Sequence, residues 1–98
     1  MSRFRLAIPP NVATVIRRLP PGLKRSVREA LRAVGANPSC GEPLRRELEG
    51  LWKYRVRRFR IVYVIDRTHR LVQFVAVGPR IRIYEELAER LGGRMPSR

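Results

Sequence analysis

Residues 52–84 contain three consecutive strand patterns, and this stretch constrains the fold most strongly. The middle pattern, FRIVYVID at 59–66, is almost entirely apolar, which is typical of a central strand covered on both faces. The flanking patterns, at about 51–57 and 70–77, are bounded by turn residues. Because strands joined by such short turns pair with their neighbours, the sequence predicts an antiparallel sheet built around 59–66.

The first half of the chain predicts one strand followed by two helices. Residues 3–8 alternate polar and apolar side chains, which indicates a short strand that ends at the prolines at 9–10. Asn11 is expected to cap a first helix, and the PPG sequence at 20–22 to stop it. A second helix follows, and the two form a helical hairpin. The apolar positions at helical spacing are Val12, Val15, Ile16 and Leu19 in the first helix, and Leu23, Val27, Ala30, Leu31 and Val34 in the second.

The remaining segments complete a small α+β fold. Residues 35–43 are rich in turn formers and predict a surface loop, and 44–50 predict an approach segment with one helical turn. A last helix is expected to begin near Ile83, and residues 93–98 to form a flexible tail. The predicted order is therefore β-α-α-β-β-β-α in a single domain of 98 residues, with the helical hairpin on one face of the sheet.

Positive charge is the second constraint. The chain has 22 Lys and Arg against 8 Asp and Glu, a formal net charge of +14, and Lys occurs only at positions 24 and 53. Arginine forms bidentate pairs with phosphate and stacks on bases, so this balance favours RNA or DNA as a partner, while acidic proteins fit the same charge. Since residues two apart on a strand share a face, Lys53, Arg55 and Arg57 are expected to line one side of the sheet.

The sequence offers little for other kinds of site. The one cysteine, Cys40, cannot form an internal disulfide and indicates a reducing compartment. With no apolar run of about 18 residues and no signal-peptide pattern, we expect a cytoplasmic protein. The absence of a Cys/His cluster, a Gly-rich phosphate loop and a paired-carboxylate pattern leads us to expect no metal and no cofactor. His69, in a predicted turn, and Cys40, in a predicted loop, are interpreted as bystanders.

A surface of Arg, Lys and Tyr can still do chemistry on RNA. In metal-independent cleavage the 2′-OH attacks the adjacent phosphate, so the protein must position the backbone and stabilise charge on the phosphoryl oxygens. Arginine suits the charge, and Tyr or Lys can handle a proton where cationic surroundings favour the phenolate or the neutral amine. The alternative is that these residues form only a solvated face.

Packing competes with function for the aromatic residues as well. The helical spacing of Tyr84 to Leu87 and Leu91 is as typical of core packing as of catalysis. Trp52 is one of several aromatic residues interleaved with the charges, and aromatic side chains can stack on bases. In a domain of this size we expect most of them to lie in the core.

Four short motifs occur in a fixed order: LEGL at 48–51, YRVR at 54–57, FRIVY at 59–63 and VGPR at 77–80, followed by Tyr84. Their order and spacing resemble the RelE/ParE superfamily, the toxins of bacterial type II toxin–antitoxin systems. The predicted helical hairpin upstream matches the layout of this family, so the resemblance covers nearly the whole chain.

This resemblance implies that the chain is a toxin whose RelE-like relatives cleave messenger RNA in the ribosomal A site. By position, Arg60 corresponds to the arginine that contacts the scissile phosphate and Arg80 to a later phosphate-binding arginine. Tyr84 corresponds to a tyrosine implicated in catalysis, and Lys53 and Arg55 to a basic pair on a strand. The residues then expected to bind RNA are Arg25, Arg28, Arg32, Lys53, Arg57 and Arg58.

The resemblance leaves three activities open. The chain can be a ribosome-dependent mRNA endonuclease, a ParE-like inhibitor of DNA gyrase, or a non-catalytic RNA-binding protein of the same fold. All three readings imply a cognate antitoxin as partner, expected to carry an acidic, amphipathic segment. For the endonuclease the further partners are the ribosome and mRNA.

Overall fold

The computed structural model describes residues 3–79, which form a five-stranded sheet with two helices packed on one face. The strands occur in the order β1-β5-β4-β3-β2 across the sheet, so β4 is central. The elements, in chain order, are β1 (Arg5–Ala7), α1 (Pro10–Arg17), α2 (Pro21–Ala36), a 3-10 helix (Pro38–Cys40), β2 (Glu42–Pro43), a second 3-10 helix (Arg46–Leu48), β3 (Trp52–Val56), β4 (Phe59–Asp66) and β5 (Leu71–Pro79).

Both helices begin at a proline, one position or more before the sequence predicts. Pro10 is the first residue of α1, so Asn11 lies inside the helix and does not cap it. Pro21 likewise begins α2, so only Pro20 separates the second helix from the turn that ends the first. Proline is favoured at this position because its φ is already helical and the N–H it lacks would have no partner.

The helices cover one face of the sheet, which we call the helix-covered face. Val27, Leu31 and Val34 of α2 are buried against Ile61 and Phe74 of the sheet. The apolar stripes predicted for the two helices therefore form the main core.

The predicted strand boundaries are close, and β4 is found at the predicted 59–66. The sheet is antiparallel in its β2–β5 part, but β1 pairs parallel with β5. The chain passes from β1 into the helices and not into a hairpin, so nothing forces an antiparallel partner, and β1 occupies the free edge beside β5. The predicted loop at 35–43 also contains a further short strand, β2, which pairs with β3.

A second, smaller cluster covers the opposite face at its centre. Val62 of β4 is fully buried there, packed by Leu44, Leu48 and Leu51 from the segment before β3. The predicted approach segment, with its one helical turn, thus lies over the sheet. This confirms that the central strand is covered on both faces. The predicted C-terminal helix and the tail at 93–98 lie outside the described residues.

Candidate catalytic groove and nucleic-acid interface

Lys53, Arg55 and Arg60 project from the face of the sheet opposite the helices, which we call the basic face. Tyr54 and Ile61, which alternate with them along β3 and β4, pack toward the helices. In the β3–β4 register Arg55 lies directly opposite Arg60. Like charges placed opposite each other cost about 0.2–1 kcal/mol, so the pair is not explained by the stability of the sheet.

The predicted row of three basic residues is wrong at its third member. Arg57 is not part of β3, because the strand ends at Val56 and a two-residue turn of Arg57 and Arg58 leads into β4. Arg57 has a φ of 56°, in the left-handed region. The hairpin needs residues for its turn, and the alternation of the strand cannot continue through them.

A groove of about 440 Å³ opens beside the basic face. We call it the basic groove. It brings together three of the residues predicted to be catalytic, Lys53, Arg55 and Arg60, with residues from the segment before β3. Its lining is Cys40, Gly41, Glu42, Lys53, Tyr54, Arg55 and Arg60.

Glu42 is the groove residue that sequence reasoning missed. It sits on the short strand β2, directly opposite Lys53 on β3, and its Oε1 lies 3.4 Å from Lys53 Nζ. The Glu42 side chain is 73% exposed, so the ion pair contributes at most about 1 kcal/mol to stability, and its interest is chemical. No local pattern could have found it, because the pairing joins residues eleven positions apart across an irregular loop.

Two contacts hold this loop against the sheet. Tyr63 is fully buried, and its hydroxyl donates a hydrogen bond of 2.7 Å to the carbonyl oxygen of Pro38. Burial raises the pKa of Tyr63 to about 12, so it remains a hydrogen-bond donor at neutral pH. A Cβ on Gly41 would collide with the carbonyl oxygen of Lys53 and the hydroxyl of Tyr63, so only glycine permits this close approach. Together they place Glu42 beside Lys53.

Cys40 lines the groove but is a poor nucleophile. Burial raises the pKa of its thiol, with a smaller opposing contribution from a backbone hydrogen bond. The thiol therefore stays protonated at neutral pH, and the thiolate is the reactive form. This agrees with the interpretation of Cys40 as a bystander.

The predicted RNA-binding arginines of α2 lie on the other side of the sheet. Arg25, Arg28 and Arg32 are exposed on the outer face of α2, whose inner face packs on the helix-covered face. The structure therefore does not bring them to the basic groove. A polyanion that contacts both would have to reach around the molecule.

His69 lies far from the groove. It is exposed in the turn between β4 and β5, and its Nδ1 lies 2.9 Å from Oδ2 of Asp66. Arg60 lies near the opposite end of β4, six positions before Asp66, which is about 20 Å along an extended strand. The predicted bystander role of His69 is consistent with this position.

Arg80 and Tyr84, the other two residues predicted to be catalytic, lie outside the described residues, and their roles stay predictions. Within residues 3–79, no group of three or more His, Cys, Asp or Glu side chains could hold a metal ion. In the same part of the chain, no helix is long and apolar enough to cross a membrane.

Comparison with known proteins identifies the family. Residues 14–84 match the profile of the ParE toxin of type II toxin–antitoxin systems, parDE, which is more than half of the chain. The chain belongs to this toxin family. The comparison with curated proteins found no match.

This toxin shares its fold with several solved structures. It is similar to the crystal structure of the toxin–antitoxin complex RelBE2 from Mycobacterium tuberculosis, with 29% identity and a TM-score of 0.74 over 82% of this chain and 94% of that chain. A mutant of E. coli RelE in the free state matches with 20% identity and a TM-score of 0.73, over 91% of this chain and 98% of that chain.

A third similar structure is the YoeB/ParE toxin from Agrobacterium tumefaciens, with 16% identity and a TM-score of 0.69 over 80% of this chain and 100% of that chain. Below 25% identity such likeness shows the fold alone. The predicted fold class and superfamily are confirmed.

Proposed function

We propose that this toxin is a ribosome-dependent, metal-independent mRNA endonuclease that inhibits translation in the cytoplasm. The observation that carries the proposal is the basic groove. A carboxylate from Glu42, an ammonium from Lys53 and guanidiniums from Arg55 and Arg60 surround one space of about 440 Å³. These groups match the separate needs of RNA cleavage by an internal 2′-OH.

Glu42 is the proposed general base. Its carboxylate accepts the proton of the attacking 2′-OH while the 2′-oxygen forms a bond to phosphorus. The bond from phosphorus to the 5′-oxygen breaks, leaving a 2′,3′-cyclic phosphate on one fragment and a 5′-hydroxyl on the other. A carboxylate is better suited to this step than the arginines beside it, which stay protonated in proteins.

Arg55 and Arg60 are proposed to stabilise the charge that develops on the phosphoryl oxygens. Their opposed positions on β3 and β4 put two guanidiniums at one point of the face, where a bound phosphate offsets their mutual repulsion. The leaving 5′-oxygen must also gain a proton. The ammonium of Lys53 is the proposed donor within the groove, and the hydroxyl of Tyr84 is the alternative that the family resemblance implies.

The open groove favours dependence on the ribosome. The side chain of Lys53 is 32% exposed and that of Glu42 is 73% exposed, so water screens both charges in the isolated toxin. An effective site needs water excluded and the RNA backbone held in line for attack. Ribosomal RNA around the A site would supply both, and the net charge of +14 favours binding there.

A cognate antitoxin is the proposed protein partner. Several of the similar structures are toxin–antitoxin complexes, among them RelBE2 of Mycobacterium tuberculosis and an archaeal RelE–RelB complex from Pyrococcus horikoshii. We propose that the antitoxin of this toxin carries an acidic segment that neutralises the basic surface.

Expression of the toxin with primer-extension mapping of cellular transcripts tests the proposal. We expect new 5′ ends within translated regions during growth arrest, and no such ends with Arg60→Ala. Intact transcripts during growth arrest would contradict it.

The family profile is that of ParE, so gyrase inhibition is the second candidate. Loss of supercoiling by purified gyrase at stoichiometric toxin, with transcripts intact, would establish it instead, and salt-dependent RNA binding with neither effect would indicate a non-catalytic protein.

A further inference from the structure

We propose that the turn between β3 and β4 forms a second phosphate-binding subsite that extends the basic groove, and that Arg57 is kept at a strained backbone position for this contact. The subsite, which we call the turn cluster, consists of Arg55, Arg57, Arg58 and Arg60. The proposal rests on the proposed function in one respect: the phosphates are those of the RNA strand bound in the groove.

The first observation is the backbone of Arg57. Its φ of 56° lies in the left-handed region, where a side chain with a Cβ is disfavoured. Two-residue hairpin turns therefore favour Gly, Asn or Asp at such positions. Replacing this arginine with glycine is therefore expected to stabilise the turn.

Two other arginines, Arg46 and Arg70, also have positive φ. Arg46, in the second 3-10 helix, likewise has no hydrogen bond, ion pair or ring contact of its side chain among the described side chains, so a positive φ alone does not mark a binding residue. Arg70 is in a hairpin turn, as Arg57 is, and is the more direct comparison. It lies in the turn between β4 and β5 with a φ of 51°, and its guanidinium sits over the ring of Phe4, 4.7 Å from the centroid. Arg70 therefore has an intramolecular contact that accounts for its side chain. Among residues 3–79, no hydrogen bond, ion pair or ring contact accounts for the side chain of Arg57.

The second observation is the composition of the turn cluster. Four arginines line an open groove of about 450 Å³, and no other residue of 3–79 lines it. The one hydrogen bond within the cluster is from Arg60 Nη1 to the carbonyl oxygen of Arg58, at 3.5 Å. No carboxylate among the described residues forms an ion pair with any of the four. Water and salt screen the repulsion among these cations in part, and a bound anion would relieve it further.

The third observation selects the kind of anion. Arg55 and Arg60 line both the basic groove and the turn cluster, so the two surfaces are continuous. An RNA strand with one phosphate between Arg55 and Arg60 places the next phosphate toward the turn. Guanidinium binds phosphate oxygens in a bidentate fashion, so Arg57 and Arg58 fit that neighbouring phosphate. Contact there would fix the register of the strand in the groove.

Binding of a single-stranded RNA 12-mer, fully 2′-O-methylated so that it cannot be cleaved, tests the turn cluster without the ribosome. We expect Arg57→Gly to weaken binding about three- to tenfold and to reduce the slope of log affinity against log salt by about 0.7, the loss of one phosphate contact. The same variant should melt about 2–5 °C higher, because glycine relieves the strained φ. Arg57→Lys keeps the charge and the strain, and should keep the slope.

Arg70→Gly is the matched control, since it removes the same charge from a left-handed residue in a second hairpin turn. It should leave the salt slope unchanged and lower the melting temperature by removing the contact with Phe4. An unchanged slope in Arg57→Gly, an equal reduction in Arg70→Gly, or equally tight binding of polyglutamate of the same length would each overturn the proposal.

The assay also separates this proposal from the proposed function. A reduced slope in Arg57→Gly together with intact cellular transcripts would support the subsite and contradict the endonuclease. Transcript cleavage by the wild-type toxin with an unchanged slope in Arg57→Gly would support the endonuclease and overturn the subsite.

Discussion

The two faces of the sheet are built from alternating residues of the same strands, but they differ in composition. The helix-covered face is continuous and apolar, with Ile61, Tyr63 and Phe74 fully buried at its centre. The basic face has one fully buried residue, Val62, and then an opposed pair of arginines. The helix-covered face contributes the main core. The basic face adds a smaller cluster around Val62 and carries charges that the fold itself does not need.

The difference shows how a chain this small accommodates a site. Because side chains alternate along a strand, β3 and β4 can supply the core and the groove at the same time. Tyr63 connects the two faces. Its ring is buried in the core, and its hydroxyl donates a hydrogen bond to the carbonyl oxygen of Pro38, in the loop that carries Glu42. Substitutions on each face should therefore separate stability from activity, and substitutions at this connection should affect both.

The largest expected effect is on the helix-covered face. Phe74→Ala should lower the free energy of unfolding by about 3–5 kcal/mol, because it leaves a large cavity in the core. Urea denaturation measures this change. Gln73→Ala, at the exposed neighbouring position, should change the stability by less than about 0.5 kcal/mol. Equal effects of the two would mean that the helix-covered face is not the stabilising core.

On the basic face, Arg60→Ala should lower mRNA cleavage about 10²–10³-fold, because it removes a charge contact to the transition state. Its melting temperature should be unchanged or higher, since repulsion from Arg55 is removed. Arg18→Ala, an exposed arginine that follows α1, is the control and should retain activity. A fall in stability as large as the fall in activity would assign Arg60 to the fold and not to the site.

Gly41 packs against Tyr63 and the backbone of Lys53. Gly41→Ala should therefore lower stability by about 1–3 kcal/mol and also reduce cleavage, because the added methyl displaces β2 from β3. Gly22→Ala is the matched control, since nothing lies within 4 Å of its added methyl. Thermal melting and the cleavage assay check both. Full activity in Gly41→Ala would show that the position of Glu42 beside Lys53 is unimportant.

Tyr63→Phe should have a smaller effect, about 1–2 kcal/mol, because the carbonyl of Pro38 loses its donor while the ring still packs. Tyr54→Phe provides the comparison, since Tyr54 is only partly buried, and should be nearly neutral for stability. Both are measured by urea denaturation. A neutral Tyr63→Phe would mean that the loop is held by other contacts.

The smallest expected effect is at the β4–β5 turn. Hydrogen bonds from the side chain and backbone of His69 hold the pKa of Asp66 below its ordinary value of 3.8. A carboxyl with a depressed folded-state pKa stabilises the fold above that ordinary value, and the contribution is lost as the pH falls below it. The difference between the melting temperatures at about pH 5 and about pH 3 should therefore be larger for the wild type than for Asp66→Asn. Identical differences would rule out this contribution.

Local sequence patterns predicted the helices and strands well, but they did not predict which distant strands pair. The apolar run from Phe59 to Asp66 is bounded by turns, so the central strand was predicted with its observed limits. The parallel pairing of β1 and the pairing of β2 with β3 join distant segments, and no local pattern encodes them.

The candidate site was predicted in part for the same reason. Lys53, Arg55 and Arg60 could be placed together from strand alternation and one hairpin. Glu42 could not, because it reaches the groove through the pairing of β2 with β3 and the packing of Gly41 against Tyr63. Arg57 was wrongly placed on the strand because alternation alone does not show where a turn must begin.

The most direct test of the account is single-turnover cleavage of mRNA on programmed ribosomes, comparing the wild-type toxin with Glu42→Gln, without added metal beyond that needed by the ribosome. The amide keeps the shape of the side chain but cannot accept the proton of the 2′-OH. We predict cleavage by the wild type within codons of the A site, with a 2′,3′-cyclic phosphate end, and a rate about 10²–10⁴-fold lower for Glu42→Gln. Equal rates for the two proteins would contradict the proposed base, and no cleavage by the wild type would contradict the proposed function itself.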